Sequence, residues 1–201
     1  MTAPRRSGFS RDSLAPGEAV AAEAAPTGRG RFDAPLAAWF AARGWKPAPF
    51  QREVWKRWLA GESGLLHTPT GSGKTLAAIG GPLLEALRAA SAVGGPSGPI
   101  GRSALKGLPQ RKGLPQLKVL WITPLKALAN DTVRALQEVS HGVGLDWTIG
   151  LRTGDATAKQ RRLARAGQVD VLVTTPESLS LLLSYADTAP MHAGLRGVVV
   201  D

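Results

Sequence analysis

The sequence predicts an α/β fold, a mostly parallel sheet with helices on both faces, and three observations carry that expectation. Short apolar runs at Gly64–His67, Val119–Thr123, Trp147–Leu151, Val171–Thr174 and Gly197–Val200 alternate with helical stretches. Strand followed by crossover helix, repeated, is the pattern of parallel pairing. The first run leads into a glycine-rich turn that opens a helix at Lys74, as a phosphate-binding loop does. A chain of 201 residues is long enough for one domain with a sizeable core, so a single unit is expected rather than two.

Each element has its own warrant. Residues 1–32 mix Arg, Ser, Pro, Gly and Ala without apolar periodicity. Such a segment buries too little apolar surface to offset the entropy of ordering, and a disordered leader is expected. Asp33 reads as an N-cap with Pro35 in the first turn, and Leu36, Trp39 and Phe40 recur at helical spacing up to Gly44. Phe50–Ala60 reads as a second helix, with Val54, Trp55, Trp58 and Leu59 on one face and Gly61 as its stop. That aromatic stripe is read as core rather than as a base-stacking surface. Beyond the helix from Lys74, residues Ser91 to Leu117 hold six Gly and four Pro and repeat the string KGLPQ, which favours a flexible insertion over 91–117. Further helices are expected over Ala127–Ser140 and Glu177–Ala186. The domain is therefore placed at residues 33–201.

Composition excludes more than it names. The 25 Lys and Arg against 15 Asp and Glu give a charge of +10, which attracts phosphate-rich partners, although the richness in Ala, Gly, Pro and Arg also fits a GC-rich coding sequence. With no Cys, a disulfide framework, a thiolate zinc site and an iron–sulfur cluster are excluded from this stretch, in keeping with a reducing cytoplasm. His67, His141 and His192 are scattered, without metal-ligand spacing. Apolar runs are too short to span a bilayer, and Glu18 and Glu23 interrupt the Ala-rich segment near Val20, so neither a membrane partner nor a signal sequence is expected.

The strongest local signal is Thr68-Pro-Thr-Gly-Ser-Gly-Lys-Thr75. Phosphate binding needs backbone N–H groups turned inward, which Gly71 and Gly73 permit alongside Thr70 and Ser72, and a helix N-terminus adds partial positive charge. Lys74 would reach the β and γ phosphates, and the Thr75 hydroxyl would ligate Mg²⁺. Thr68 stands where the general pattern has Gly. Upstream, Phe50-Gln51 opens the aromatic helix, and a Gln amide can donate and accept in the pattern adenine N6 and N7 require, which points to ATP over GTP. Val198–Val200 reads as a buried strand ending in Asp201, where a carboxylate beside the P-loop can hold Mg²⁺ or merely cap the strand. Lys126, and Thr175 before the helix at Glu177, place donors and helix N-termini along one sheet edge, suited to a run of backbone phosphates.

Taken in order, Gly44–Gln51, His67–Thr75, Thr123–Asp131, Arg152–Asp155, Thr174–Leu179 and Val198–Asp201 resemble the Q motif, motif I, motif Ia, a TGD loop, motif Ib and the start of motif II of superfamily-two DExH-box helicases. The wording is most similar to the large helicase-related (Lhr) group, particularly bacterial ligase-associated DNA helicases. The resemblance covers about residues 33 to 201. It implies a RecA-like P-loop domain, incomplete at its C-terminus, that binds ATP and Mg²⁺. It also implies nucleic-acid contacts by Pro124, Lys126, Thr153, Gly154, Thr175, Pro176 and Glu177, and catalytic roles for Lys74 and Asp201. The expected function is an ATP-dependent, 3′-to-5′ DNA helicase or translocase in DNA repair, acting on single-stranded or partly duplex DNA with DNA ligase or repair partners. A non-catalytic ATP- and nucleic-acid-binding module and an RNA helicase motor are the alternatives. Motif II should continue Glu-x-His, and the arginines that stabilise the transition state come from a second domain in this family. Residues 1–201 by themselves are therefore expected not to hydrolyse ATP.

Overall fold

A computed structural model describes residues 33–93 and 117–201. The elements run α1 (Ala34–Ala41), α2 (Pro49–Leu59), α3 (Lys74–Val93), β1 (Val119–Ile122), α4 (Lys126–Gly142), β2 (Ile149–Arg152), α5 (Ala158–Arg165), β3 (Val171–Thr174), α6 (Pro176–Leu183), a 3-10 segment (Ala186–Gly194) and β4 (Gly197–Val200). The four strands form one parallel sheet in the order β2-β3-β1-β4. Parallel strands need crossovers, and the helices that supply them cover both faces.

Alternation along the strands divides the core in two. Val119, Trp121, Val171 and Val173 face α1 through α4, where Leu36, Phe40, Trp55, Leu83, Leu87 and Leu136 complete one cluster. Leu120 and Leu172 face the other way, against Ala164 of α5, Leu182 of α6 and Met191 of the 3-10 segment. Central strands buried on both sides explain why their sequences read as unbroken apolar runs.

The seam between α2 and α3 rests on a pair of glycines. The Trp55 indole lies against Gly80 and Trp58 lies over Gly81, where an added methyl would come within 2.5 Å of Trp58 Cβ. Each indole N–H also finds an acceptor on α3: Trp55 donates to Leu76 O at 3.2 Å, and Trp58 to Glu85 Oε2 at 3.0 Å. Buried aromatics with satisfied N–H groups give this seam both area and direction. The aromatic stripe of α2 is core, as the sequence indicates.

Three expectations need revision. Gly64–His67 is not a strand: Leu65 is 97% exposed, and the run has no ladder partner among the described residues. Without cross-strand hydrogen bonds an extended segment has no sheet to belong to. The edge strand β4 leaves Val198 and Val200 exposed on its uncovered face. Asp33 does occupy the N-cap position of α1, but in an αR conformation, and its side chain makes no capping bond. Two elements come unannounced, α5 and the 3-10 segment. The bounds of the expected insertion also tighten, since α3 continues to Val93 and Leu117 is fully buried. The remainder of that insertion and the expected leader lie outside the described residues. No helix among the described residues is long and apolar enough to cross a membrane.

Candidate nucleotide and nucleic-acid site

The loop that opens α3 has the backbone of an anion cradle. Gly71 and Gly73 both take positive φ, +80° and +92°, with Ser72 between them. The first turn of α3 follows at once, its opening N–H groups lacking intrahelical acceptors. The loop makes hydrogen bonds within itself. The Lys74 ammonium donates to Thr68 O and Pro69 O, both at 3.1 Å, and Ser72 Oγ donates to Thr68 Oγ1 at 2.8 Å. Thr70 is exposed, and Thr75 is half-buried on the first turn of the helix.

Gln51 ties this loop to α2. Its Oε1 accepts from Ala48 N at 2.8 Å, which is half of a capping box, because the Ala48 methyl cannot reciprocate. Its Nε2 donates to Gly73 O at 3.1 Å. Those two bonds leave one N–H and one lone pair on the amide for a base edge. Phe50 sits beside it, half-buried at the start of α2. Asp201 directly follows β4: its N–H donates to Ile122 O at 2.9 Å, extending the ladder between β4 and β1. Among the described residues it shares no hydrogen bond or ion pair with the P-loop.

The second group lies at the C-terminal ends of the strands. Lys126 is the first residue of α4 and its ammonium pairs with the Asp155 carboxylate of the loop after β2. The backbone of Gly154 is close by, so that a methyl there would lie 3.4 Å from Lys126 Nζ. Thr175 is the N-cap of α6 with Pro176 in its first turn, and its hydroxyl is hydrogen-bonded to Ser178 at 3.2 Å. The Glu177 carboxyl is held below its ordinary value because its own backbone N–H donates to it, with the Thr175 hydroxyl and the Lys126 charge adding to the effect. Thr153 is buried, while Pro124, Gly154, Pro176 and Glu177 face solvent. The structure thus brings Lys126, Gly154, Thr175 and Glu177 into one neighbourhood, and Gln51 with Gly73 into another.

Three residues here lie inside the quoted motifs but receive no role of their own from the sequence. Asp155, the partner of Lys126, stands 29 positions away, and no local pattern announces the pairing. Arg152 at the end of β2 is 4% exposed, and its Nε is enclosed without an acceptor. Thr123 at the end of β1 is fully buried, and its Oγ1 likewise has no partner. Buried polar atoms are nearly always satisfied, and these two join Trp39, Trp121 and His192 as enclosed polar side chains without a partner among the described residues.

Six ordered motifs on this scaffold agree with the comparison to known families, in which the DEAD/DEAH box helicase family matches residues 48–201. The chain belongs to that family. Over 182 residues this helicase domain is 36% identical to the Lhr helicase/probable uracil glycosylase of Mycolicibacterium smegmatis, an alignment covering 86% of this chain and 11% of that protein. It is 35% identical over 173 residues to the Lhr helicase/uracil glycosylase of Escherichia coli, covering 81% of this chain and 10% of the other. Among solved structures, the Mycobacterium smegmatis helicase Lhr bound to ssDNA and AMP-PNP superposes with a TM-score of 0.61 at 35% identity, over 86% of this chain and 20% of that one. The helicase domain therefore spans about a tenth of the length of these two relatives.

Proposed function

We propose that this chain is the ATP-binding motor domain of an Lhr-type, ATP-dependent DNA helicase or translocase that moves 3′-to-5′ and serves DNA repair in the cytoplasm. The observation that carries the reading is the loop Thr68–Thr75, with two left-handed glycines opening onto a helix N-terminus and a lysine at its rim. Backbone N–H groups in that arrangement favour a polyphosphate. For Lys74 to reach the β and γ phosphates, its ammonium exchanges two loop carbonyls for phosphate oxygens, a gain in charge at little change in position. Gln51 orients adenine with the N–H and lone pair it has left, next to Phe50. The hydroxyl of Thr75 and the carboxylate of Asp201 are hard oxygen donors of the kind Mg²⁺ takes, and would hold it. When bound, the ion would neutralise charge on the phosphates.

At the strand ends, Lys126, the backbone at Thr153 and Gly154, and the N-terminal turns of α4 and α6 at Pro124 and Thr175–Glu177 grip the phosphates of a single strand or of a partly opened duplex. Contacts of this sort address the phosphates and leave the sugar unread, so RNA competes with DNA at this edge, and matched DNA and RNA oligonucleotides in competition separate the two. A DNA ligase or another repair protein is the expected partner of the whole protein. The test of the nucleotide reading is Lys74→Ala. Losing a charge-assisted contact to a buried polyphosphate costs about 2–4 kcal/mol, so ATP affinity should fall by at least about thirtyfold in a protein that still melts cooperatively. Unchanged affinity of a folded variant, measured by fluorescent-nucleotide titration, removes the P-loop from the proposal.

A further inference from the structure

Both attractive features of the strand-end edge are already occupied by carboxylates of the chain itself. Lys126 holds Asp155 across two loops. The first turn of α6 carries Glu177, solvent-exposed, whose carboxyl is held low by the donors of that turn and by the charge of Lys126. An oxygen acceptor on an ammonium, and another on a helix N-terminus, is the arrangement that two backbone phosphates would make. Both members of the Lys126–Asp155 pair are more than half exposed, so the pair is open to competition from solvent and incoming ligands. It contributes little to stability. A surface pair of small worth to the fold, on a lysine placed to take a nucleic-acid phosphate, calls for another account.

We propose that Asp155 is a built-in phosphate mimic: it holds Lys126 in the unliganded state and is displaced by a nucleic-acid phosphate on binding. The inference rests on the reading of this edge as the nucleic-acid contact surface. Displacement makes binding an exchange of one anion for another. Affinity is therefore lower than Lys126 alone would give, and its dependence on salt is shallower, because the lysine never releases a full complement of counterions.

The test is an anisotropy titration of a labelled oligothymidylate with the full chain across a salt series, for the wild type, Asp155→Asn, Lys126→Ala and the double variant. Asp187→Asn, which removes a carboxylate from the exposed pair with Arg165, serves as the charge control. Asp155→Asn should raise affinity about two- to fivefold at low salt, the size expected of an exposed ion pair that binding otherwise has to break. It should also steepen the slope of log K against log salt by up to about one unit. Both gains should vanish in the Lys126→Ala background. A parallel measurement follows the Asp155 side-chain carboxyl carbon by NMR, which should shift on saturation with oligothymidylate while that of Asp187 stays fixed. If Lys126→Ala leaves affinity and slope unchanged, the reading of the edge itself fails. If Lys126→Ala weakens binding but Asp155→Asn brings no gain, or gains no more than Asp187→Asn, or the gain persists without Lys126, the mimic is refuted and the edge reading survives.

Discussion

The P-loop and the strand-end edge, the two regions proposed above to meet phosphate, are built on opposite principles. Around Thr68–Thr75 the residues are exposed or half-buried, the approach from Gly64 to His67 has no ladder partner among the described residues, and the loop closes on its own carbonyls and on Gln51. At the strand ends the supports are buried: Thr123 and Thr174 are fully enclosed, Thr175 is 3% exposed, and every strand in register contributes a residue. The first region keeps its shape through backbone conformation and one amide, so it is sensitive to a single atom. The second keeps its shape through the sheet, and its exposed groups are charged.

That contrast can be broken most severely at Gly73. A side chain there adopts a left-handed conformation costing about 1–2 kcal/mol, and its Cβ would stand 2.6 Å from Gln51 Nε2. Gly73→Ala should lower nucleotide affinity by about tenfold or more while leaving oligonucleotide affinity within about twofold. Fluorescent-nucleotide and oligonucleotide titrations side by side check it. Equal losses in both would show that the two regions are one structural unit. A smaller effect of opposite sign is expected at Arg152, whose enclosed Nε lacks an acceptor. Replacing an uncompensated buried polar group by an apolar one of similar length removes its desolvation cost, so Arg152→Met should stabilise the unliganded chain by about 1 kcal/mol. Denaturant unfolding measures it, and a clear destabilisation would reveal a partner for the guanidinium.

The smallest effect concerns Glu177. Its carboxyl sits below the ordinary value of 4.5 in the folded chain, so its contribution to stability is present above that pH and is lost as pH falls through the depressed value. Glu177→Gln should therefore melt slightly below wild type near pH 6 and converge with it as pH falls through that depressed value. A difference between the two that is independent of pH would mean that Glu177 acts by shape rather than by charge.

How much of this was legible in the sequence follows from the range of each interaction. β3 and β4 could be read to the residue and β1 to within one; in β1 and β3 burial on both faces imposes a continuous β-branched and apolar run. The P-loop was legible because its glycines answer a local backbone demand. The helix α5 was missed because AKQRRLAR has no apolar stripe to find, although Thr157 and Gln160 form a complete capping box that a search for helix starts would have caught. Gly64–His67 misled because an apolar run states a preference for burial and not the presence of a ladder partner. The pairings of Gln51 with Gly73 and of Lys126 with Asp155 join residues 22 and 29 positions apart, and nothing in either neighbourhood encodes the other.

Trp58 gives the molecule a mechanical property. Its indole fills the space above Gly81 of α3 and above Gly197 at the start of β4, while Glu85 receives the Trp58 N–H and also the Arg196 guanidinium. One rigid ring is thus wedged between the helix that begins at Lys74 and the strand that ends beside Asp201. Any tilt of α2, which carries Gln51 at its other end, is delivered through this strut to both at once, with no side chain on either glycine to absorb the movement.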